Sequence, residues 1–139
     1  MIRKSAGFSL VEIIVALAIL SILTGLAVPA YTDYVRRNRR SDAINTLLRL
    51  QLAQERWRAS NITYATNIAS ISDGASSDQK NYTIAIDGAN NVSYTMTATP
   101  AAGSPQTADT KCQTFTINES GPVIRLAMAA QDKECWNIR

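Results

Sequence analysis

Residues 8–30 read FSLVEIIVALAILSILTGLAVPA, and this stretch decides how the chain is organised. Its twenty-three residues carry one charge, that of Glu12. At about 1.5 Å per residue, a helix of this length covers the apolar core of a bilayer. Residues 1–7 contain Arg3 and Lys4, and basic residues on that side favour a cytoplasmic N-terminus. The stretch therefore predicts a single-pass membrane helix with the rest of the chain exported.

Glu12 is the unusual residue of this segment, because an acid inside an apolar membrane helix costs about 2–3 kcal/mol on insertion scales. A free α-amine would appear on Phe8 if the chain were cut after Gly7. On the same helix that amine would lie only about one turn from Glu12 and would pair poorly. A neighbouring subunit shifted along the axis could bring its amine up to the carboxylate at low dielectric. Glu12 is therefore predicted to fix the register of an assembly.

Two other interpretations of the segment are open. In the first, it is a secretory signal peptide with Val28-Pro29-Ala30 as the cleavage site, although its apolar region of about twenty residues exceeds the usual 7 to 15 or so. In the second, it is a plain membrane anchor whose Glu12 lies near the interface and snorkels.

The segment after Pro29 contains no further proline or glycine before Gly74, so the helix is expected to continue. An amphipathic stripe at 3.6-residue spacing is expected to pack on a globular domain. Gly25 and Pro29 form a weak point where the helix can kink or melt. The predicted stripe consists of Ile44, Leu47, Leu48, Leu52 and Ala53, closed by Trp57.

The most concentrated charge on the chain is a group of arginines just beyond the membrane segment. On a helix they would surround much of the circumference, which favours contact with lipid headgroups before assembly and with acidic residues of neighbouring subunits afterwards. Contact with DNA phosphates is the alternative. The residues that such a contact would use are Arg36, Arg37, Arg39, Arg40 and Lys111.

Alternating apolar and polar residues predict strands in the C-terminal half. Residues 82–86 and 92–98 are separated by Asp87-Gly88-Ala89-Asn90-Asn91, which is typical of a hairpin. A third strand is expected over 112–117 and a short fourth around 123–126. The fold class is therefore α+β, a long helix packed on a small antiparallel β-meander. Tyr82, Tyr94 and Trp136 could stack on nucleic acid bases, but for the two tyrosines the strand pattern favours core or strand-pair positions.

The two cysteines of an exported chain, Cys112 and Cys135, favour a disulfide, which would stabilise the fold by roughly 3 kcal/mol. Two free buried thiols are the alternative.

Composition argues against an enzyme. The chain has no histidine and only two cysteines, so the common zinc, haem and Ser-His-Asp sites cannot be built, and no cofactor or metal is expected. The formal charge is +3, and removal of Arg3 and Lys4 would leave 12 basic against 11 acidic residues. Charge alone gives no strong argument for nucleic-acid binding.

The run Gly7-Phe8-Ser9-Leu10-Val11-Glu12 after a short basic leader resembles the processing and methylation motif of type IV prepilins. The resemblance implies that an inner-membrane prepilin peptidase cuts between Gly7 and Phe8 and methylates Phe8. Lys111-Cys112-Gln113 and Cys135-Trp136 resemble the disulfide-bounded region of small minor pilins of Gram-negative type IV pili.

The resemblance implies the type IV pilin fold, with a leader at 1–7, an assembly helix at 8–30 and a head at 31–139. The chain would be a minor or core pilin of a cell-surface fimbrium used in twitching motility, adhesion or DNA uptake. Its partners would be other pilin subunits, the peptidase, the inner-membrane assembly platform and, in one alternative, DNA. It would lie in the inner membrane before assembly and in an extracellular or periplasmic filament afterwards. The alternatives are a pseudopilin of a type II secretion system and a DNA-binding receptor pilin for natural transformation.

Overall fold

The computed structural model describes residues 7–124 and 129–138. The helix α1 spans Leu10–Ser60 and is followed by a 3-10 turn at Ile68–Ser70. Four strands and a short helix complete the chain: β1 (Tyr82–Ala89), β2 (Tyr94–Pro100), β3 (Phe115–Asn118), β4 (Gly121–Pro122) and α2 (Ala129–Cys135), with a second 3-10 turn at Pro105–Ala108 between β2 and β3. The strands form one antiparallel sheet in the order β1-β2-β3-β4. The predicted α+β class and β-meander are confirmed.

The chain divides into two compact units, one ending at Val35 and one beginning at Arg36. From here on, residues 7–35 are called the N-terminal unit and residues 36–139 the head, which begins five residues later than the head that the resemblance implies. In the N-terminal unit the helix is apolar and its large side chains face outward. α1 is the single helix among the described residues that is long and apolar enough to cross a membrane.

The core of the head lies between α1 and the inner face of the sheet. Ala43, Leu47 and Leu50 of α1 are buried against strand residues that point inward at every second position. The strands contribute Tyr82, Ile84, Tyr94, Met96, Ala98, Phe115 and Ile117. Phe115 contacts the rings of Tyr82 and Trp136 edge to face, each at 5.6 Å between centroids. The prediction that the two tyrosines belong to the core is confirmed, and Trp136, for which the sequence predicted no core position, is buried as well.

The predicted amphipathic stripe of α1 is partly wrong. Leu47 is buried, but Leu48 and Leu52 are 41 % and 58 % exposed. The buried face includes polar residues that an apolar pattern does not reveal, Thr46 and Gln54 among them. Gln54 fits there because its amide donates to the Ala65 carbonyl at 3.0 Å and accepts from the Ala65 amide at 2.8 Å. A satisfied amide can be buried at little cost, and this displaces the buried face from the predicted one.

The strand boundaries also differ from the prediction. Irregular pairing between Ile86 and Gly88 adds a bulge, so β1 runs to Ala89 and the turn moves to residues 90–93. The Asn90 side chain accepts the amides of Val92 and Ser93, which keeps both outside β2. The third strand begins at Phe115 instead of Cys112. The fourth occupies Gly121–Pro122, and the predicted residues Arg125 and Leu126 lie outside the described part of the chain.

Candidate functional site

The N-terminal unit presents an apolar surface that its own chain does not cover. Phe8 is 79 % exposed, and every large apolar side chain from Leu10 to Val28 that the structure describes is about half exposed or more. A surface of this kind marks a membrane or protein interface. The unit therefore has the properties of a segment whose apolar surface is covered by lipid or by other proteins.

Glu12 is exposed in the first turn of α1 and has no hydrogen bond or ion pair with any described residue. The hydroxyl residues of the same segment behave differently. Ser21 donates to the Ala18 carbonyl at 2.8 Å and Thr24 to the Leu20 carbonyl at 2.6 Å. These bonds satisfy hydroxyls within a helix, whereas a carboxylate needs an external donor or cation in an apolar medium. Among the described residues of this unit, Glu12 is thus the group whose charge calls for a partner from outside.

The predicted weak point at Gly25 and Pro29 lies within continuous helix in this structure. A Cβ atom added at Gly25 would meet nothing within 4 Å, so packing inside the chain does not require glycine there. The kink or local melting stays a prediction.

The arginine group does not form the uniform collar that the sequence predicted, because Arg40 is buried. Its Nε and Nη2 donate to the two carboxylate oxygens of Asp109 at 2.7 and 2.9 Å. The two side chains are only 8 % and 3 % exposed. Buried charges are tolerated when they pair in this bidentate way. Arg40 is therefore committed to the interior and is not available to DNA or lipid.

The other arginines of the group differ from Arg40. Arg37 is exposed and lies 3.8 Å from the Glu134 carboxylate, a separation typical of a weak surface ion pair. The Arg36 carbonyl accepts a hydrogen bond from Gln106 at 3.3 Å. Arg39 is half-buried. Arg37 is therefore the member of the group with the most open guanidinium.

The disulfide joins Cys112 to Cys135, with 5.6 Å between their Cα atoms, and neither cysteine is free. Both residues are buried beside Trp136. The Lys111 carbonyl accepts a hydrogen bond from the Gln131 amide, which ties the same backbone to α2. The Lys111 side chain is exposed and makes no ion pair with a described residue. The backbone around this cation is therefore held by a covalent bond and by the neighbouring helix.

Sequence reasoning missed the residues that fix the loop between α1 and β1. Asp42 accepts from the Ser77 hydroxyl at 2.6 Å, the Gln79 amide at 3.1 Å and the Asn81 side chain at 3.1 Å. Arg49 forms an exposed bidentate pair with Asp78. Asp42 and Asp109 looked like ordinary surface acids, because nothing in the local pattern marks an acid whose partner lies 35 to 69 positions away.

The loop and α1 border an open depression of about 560 Å³, with Arg49, Arg56 and Lys80 among its lining residues. Asp73 and Asp78 line it too, so its charge is mixed. Within residues 7–124 and 129–138, no three His, Cys, Asp or Glu side chains cluster as metal ligands would. Asp132 is buried, and the Glu134 carboxylate lies 3.8 Å from the Arg37 guanidinium.

Two families match the chain. The prokaryotic N-terminal methylation motif matches residues 2–28, and the family described as "Type IV minor pilin ComP, DNA uptake sequence receptor" matches residues 29–116. The second match covers more than half of the chain, and the two together are continuous from residue 2 to residue 116.

Similar curated proteins are fimbrial. The fimbrial protein EcpC of Eikenella corrodens is 49 % identical over 39 residues, which are 28 % of this chain and 26 % of that protein. The prepilin peptidase-dependent protein D of Escherichia coli K12 is 35 % identical over 52 residues, 37 % of this chain and 36 % of that protein. A fimbrial protein of Pseudomonas aeruginosa is 34 % identical over 53 residues, 38 % and 34 % of the two chains.

These alignments span only about a quarter to a third of the relatives' own length. Their names do not favour the pseudopilin alternative. The match over residues 29–116, the methylation motif before it, and the long helix packed on a disulfide-closed β-meander agree with one another. The chain belongs to the ComP family of type IV minor pilins.

Proposed function

We propose that this chain is a structural subunit of a type IV pilus, held in the inner membrane before assembly and built into an extracellular filament afterwards. The observation that carries the proposal is the state of Glu12, a carboxylate without a partner among the described residues of an otherwise apolar, uncovered helix. Subunit packing would cover the apolar surface and supply the missing cation. Other pilin subunits are therefore its principal partners.

Processing supplies the cation in this mechanism. Prepilin peptidase cuts after Gly7, and the new amine on Phe8 pairs with Glu12 of an adjacent subunit. Glycine suits the cut because it lets an extended backbone enter a narrow protease cleft. Since a bilayer and a bundle of apolar helices are similar environments, transfer between them costs little and the inner-membrane platform can drive it in either direction. The charge pair then selects the axial stagger.

Incorporation into filaments tests the role of Glu12. Glu12→Leu should lower the amount of this chain in sheared pili at least about tenfold, which corresponds to losing about 1.4 kcal/mol of subunit interaction. The amount in the membrane fraction should stay the same, because leucine favours insertion. Ser9→Ala, a change three residues away in the same segment, is the matched control. Equal incorporation of the Glu12→Leu and unchanged chains would contradict the mechanism, as would a filament-borne chain that begins beyond Ala30 by mass spectrometry.

We further propose that the head binds DNA, a function favoured by the description of the family that matches residues 29–116. Arg40 is excluded as a DNA contact by its buried pair with Asp109. Arg37 is exposed, but the Glu134 carboxylate lies 3.8 Å away and offsets part of its charge. Of the arginine and lysine contacts predicted from the sequence, Lys111 is the exposed cation whose main chain is held by the disulfide at Cys112 and by the hydrogen bond from Gln131. Because this main chain is already ordered, a phosphate contact costs only the conformational entropy of the lysine side chain. Lys111 is therefore the proposed centre of the DNA contact.

Salt dependence of DNA binding tests this proposal. The full chain in detergent micelles is titrated with labelled duplex DNA at several salt concentrations, and fluorescence anisotropy is measured. Lys111→Ala should weaken binding and reduce the slope of log K against log salt by about 1, the value for one lost phosphate contact. Lys80→Ala, the same charge change at another exposed lysine, should leave the slope unchanged. Equal effects of the two variants would place the contact elsewhere, and no salt-sensitive binding would remove DNA as a partner.

A further inference from the structure

Two exposed tyrosines lie in the N-terminal unit, just beyond its apolar run. Tyr31 and Tyr34 are each 69 % exposed, whereas the tyrosines at positions 64, 82 and 94 of the head are buried. Neither side chain of the exposed pair makes a hydrogen bond or a ring contact with another described residue. Their spacing of three residues places them on neighbouring positions of the helix surface. We call Tyr31 and Tyr34 the tyrosine pair.

The tyrosine pair stands where the sequence changes from apolar to charged. On one side the helix presents the exposed apolar side chains of Leu26 and Val28. On the other side Asp33, between the two tyrosines, is the first charged residue after Glu12. A tyrosine has an apolar ring and a polar hydroxyl, and for this reason it prefers the boundary between the hydrocarbon of a bilayer and water. The position and the chemistry of the pair therefore fit a layer of lipid headgroups.

The distance between the tyrosine pair and Glu12 matches the thickness of a bilayer. The chain from Glu12 to Tyr34 lies within one continuous helix. Tyr31 follows Glu12 by nineteen residues and Tyr34 follows it by twenty-two, which at about 1.5 Å per residue gives separations of about 28 and 33 Å. The hydrocarbon core of a bilayer is about 30 Å thick. When the tyrosine pair lies at one surface of the membrane, Glu12 therefore reaches the other.

We propose that Tyr31 and Tyr34 anchor the helix among lipid headgroups on the outer side of the inner membrane, and thereby hold Glu12 at the cytoplasmic surface before assembly. This inference rests on the membrane stage of the function proposed above. At that surface the carboxylate of Glu12 is in reach of water, so the chain avoids the cost of an acid in the bilayer centre. Extraction of the helix removes this water. Glu12 then depends on the amine of Phe8 in a neighbouring subunit, which links leaving the membrane to pairing in the filament.

Spin-label depth measurements test the anchor in lipid alone, where no other protein can cover the tyrosines. The full chain is reconstituted in vesicles of phosphatidylcholine and phosphatidylglycerol, with a nitroxide at Thr32→Cys or at Ser21→Cys. The disulfide leaves no other free thiol to react. Relative access of oxygen and of a water-soluble nickel complex gives the depth of each label. The label at position 32 should lie within about 5 Å of the phosphate level, one helical turn, and the label at position 21 should lie in the hydrocarbon.

Substitution of both tyrosines distinguishes an anchor from a passive position. Tyr31→Leu with Tyr34→Leu extends the apolar run and should move the label at position 32 toward the bilayer centre by at least about 3 Å, the rise of two residues. Tyr31→Trp with Tyr34→Trp should keep the original depth, because tryptophan has the same interfacial preference. Ile19→Leu with Ile22→Leu is the matched control, since it makes two changes to leucine inside the apolar run, and it should leave the depth unchanged.

The two labels separate failure of the anchor from failure of the membrane stage. If the label at position 21 lies in hydrocarbon and the label at position 32 keeps its depth in the double leucine variant, the anchor is wrong and the membrane stage stands. If the label at position 21 is in water in the unchanged chain, both are wrong. A label at position 32 that moves with the leucine pair and returns with the tryptophan pair supports the anchor.

Discussion

The N-terminal unit and the head differ in where their apolar side chains lie and in whether their charged groups are paired. In the N-terminal unit the apolar side chains face outward and the carboxylate of Glu12 is left without a described partner. In the head the apolar side chains are buried, and even the buried charges of Arg40 and Asp109 are paired. The first unit therefore depends on other molecules for its stability, and the second depends on contacts within its own chain. The same chain can assemble through one unit and keep a defined surface on the other.

The largest effect on the head is expected from the buried ion pair. Asp109→Ala leaves the Arg40 guanidinium buried without a counter-charge, which should lower the free energy of unfolding by about 3–5 kcal/mol. This loss is measured by chemical denaturation of the full chain in micelles, with near-ultraviolet circular dichroism as the signal. Asp78→Ala is the control, because its pair with Arg49 is exposed and should contribute about 0–1 kcal/mol. Similar losses from both changes would mean that the head does not depend on buried pairing.

The next largest loss of stability should separate the buried side of α1 from its exposed side. Leu47→Ala should cost about 2–5 kcal/mol, because Leu47 is fully buried against the sheet. Leu48→Ala, one position along the same helix, should change unfolding by less than about 0.5 kcal/mol, as expected for an exposed side chain. The same denaturation experiment compares them. If Leu48→Ala were the more damaging change, the packing face of α1 would have to be rotated toward the side that the sequence pattern predicted.

The smallest effect concerns a buried hydroxyl that the head does not satisfy. The Tyr94 hydroxyl is buried without a hydrogen-bond partner among the described residues, so Tyr94→Phe should raise the free energy of unfolding by about 0.5–1 kcal/mol. Tyr82→Phe is the contrasting change, because the Tyr82 hydroxyl accepts a hydrogen bond from Gln106 at 2.8 Å. That variant should lose about 1 kcal/mol. A loss of stability in Tyr94→Phe would show that the hydroxyl has a partner after all.

The stability of the head should also depend on pH through Tyr82 and Tyr94. Burial raises the pKa of both hydroxyls, and the Glu55 carboxylate adds to the effect at Tyr94. A raised pKa in the folded state favours the neutral form. Its stabilising contribution is present below pH about 10, the unfolded value, and is lost as pH rises toward the folded pKa. Thermal melts at pH 8 and pH 11 should therefore differ less for Tyr94→Phe than for the unchanged chain. An identical difference would mean that Tyr94 ionises freely in the folded head.

The sequence predicted the parts of the molecule that local patterns govern. The apolar run, the acid within it, the alternation of β1 and β2, and the paired cysteines each carry a signal within a few residues. Arg40, Asp42 and Gln54 carry no such signal, because each looks like a solvent-facing helix residue and is buried through a partner outside α1, 11 to 69 positions along the chain. The same cause moved the buried face of α1 away from Leu48 and Leu52. The helix α2 was missed because its seven residues are too short for a periodic pattern.

The connection between β2 and β3 has a mechanical consequence. Arg40 forms an ion pair with Asp109, which lies three residues before Cys112. Cys112 is joined by the disulfide to Cys135 in the C-terminal segment. The path from α1 to the C-terminal segment therefore needs one ion pair, three residues and one covalent bond, and it bypasses the sheet. Tension applied to α1 of the head reaches that far segment by this route, so the hydrogen-bonded strands are spared part of the load.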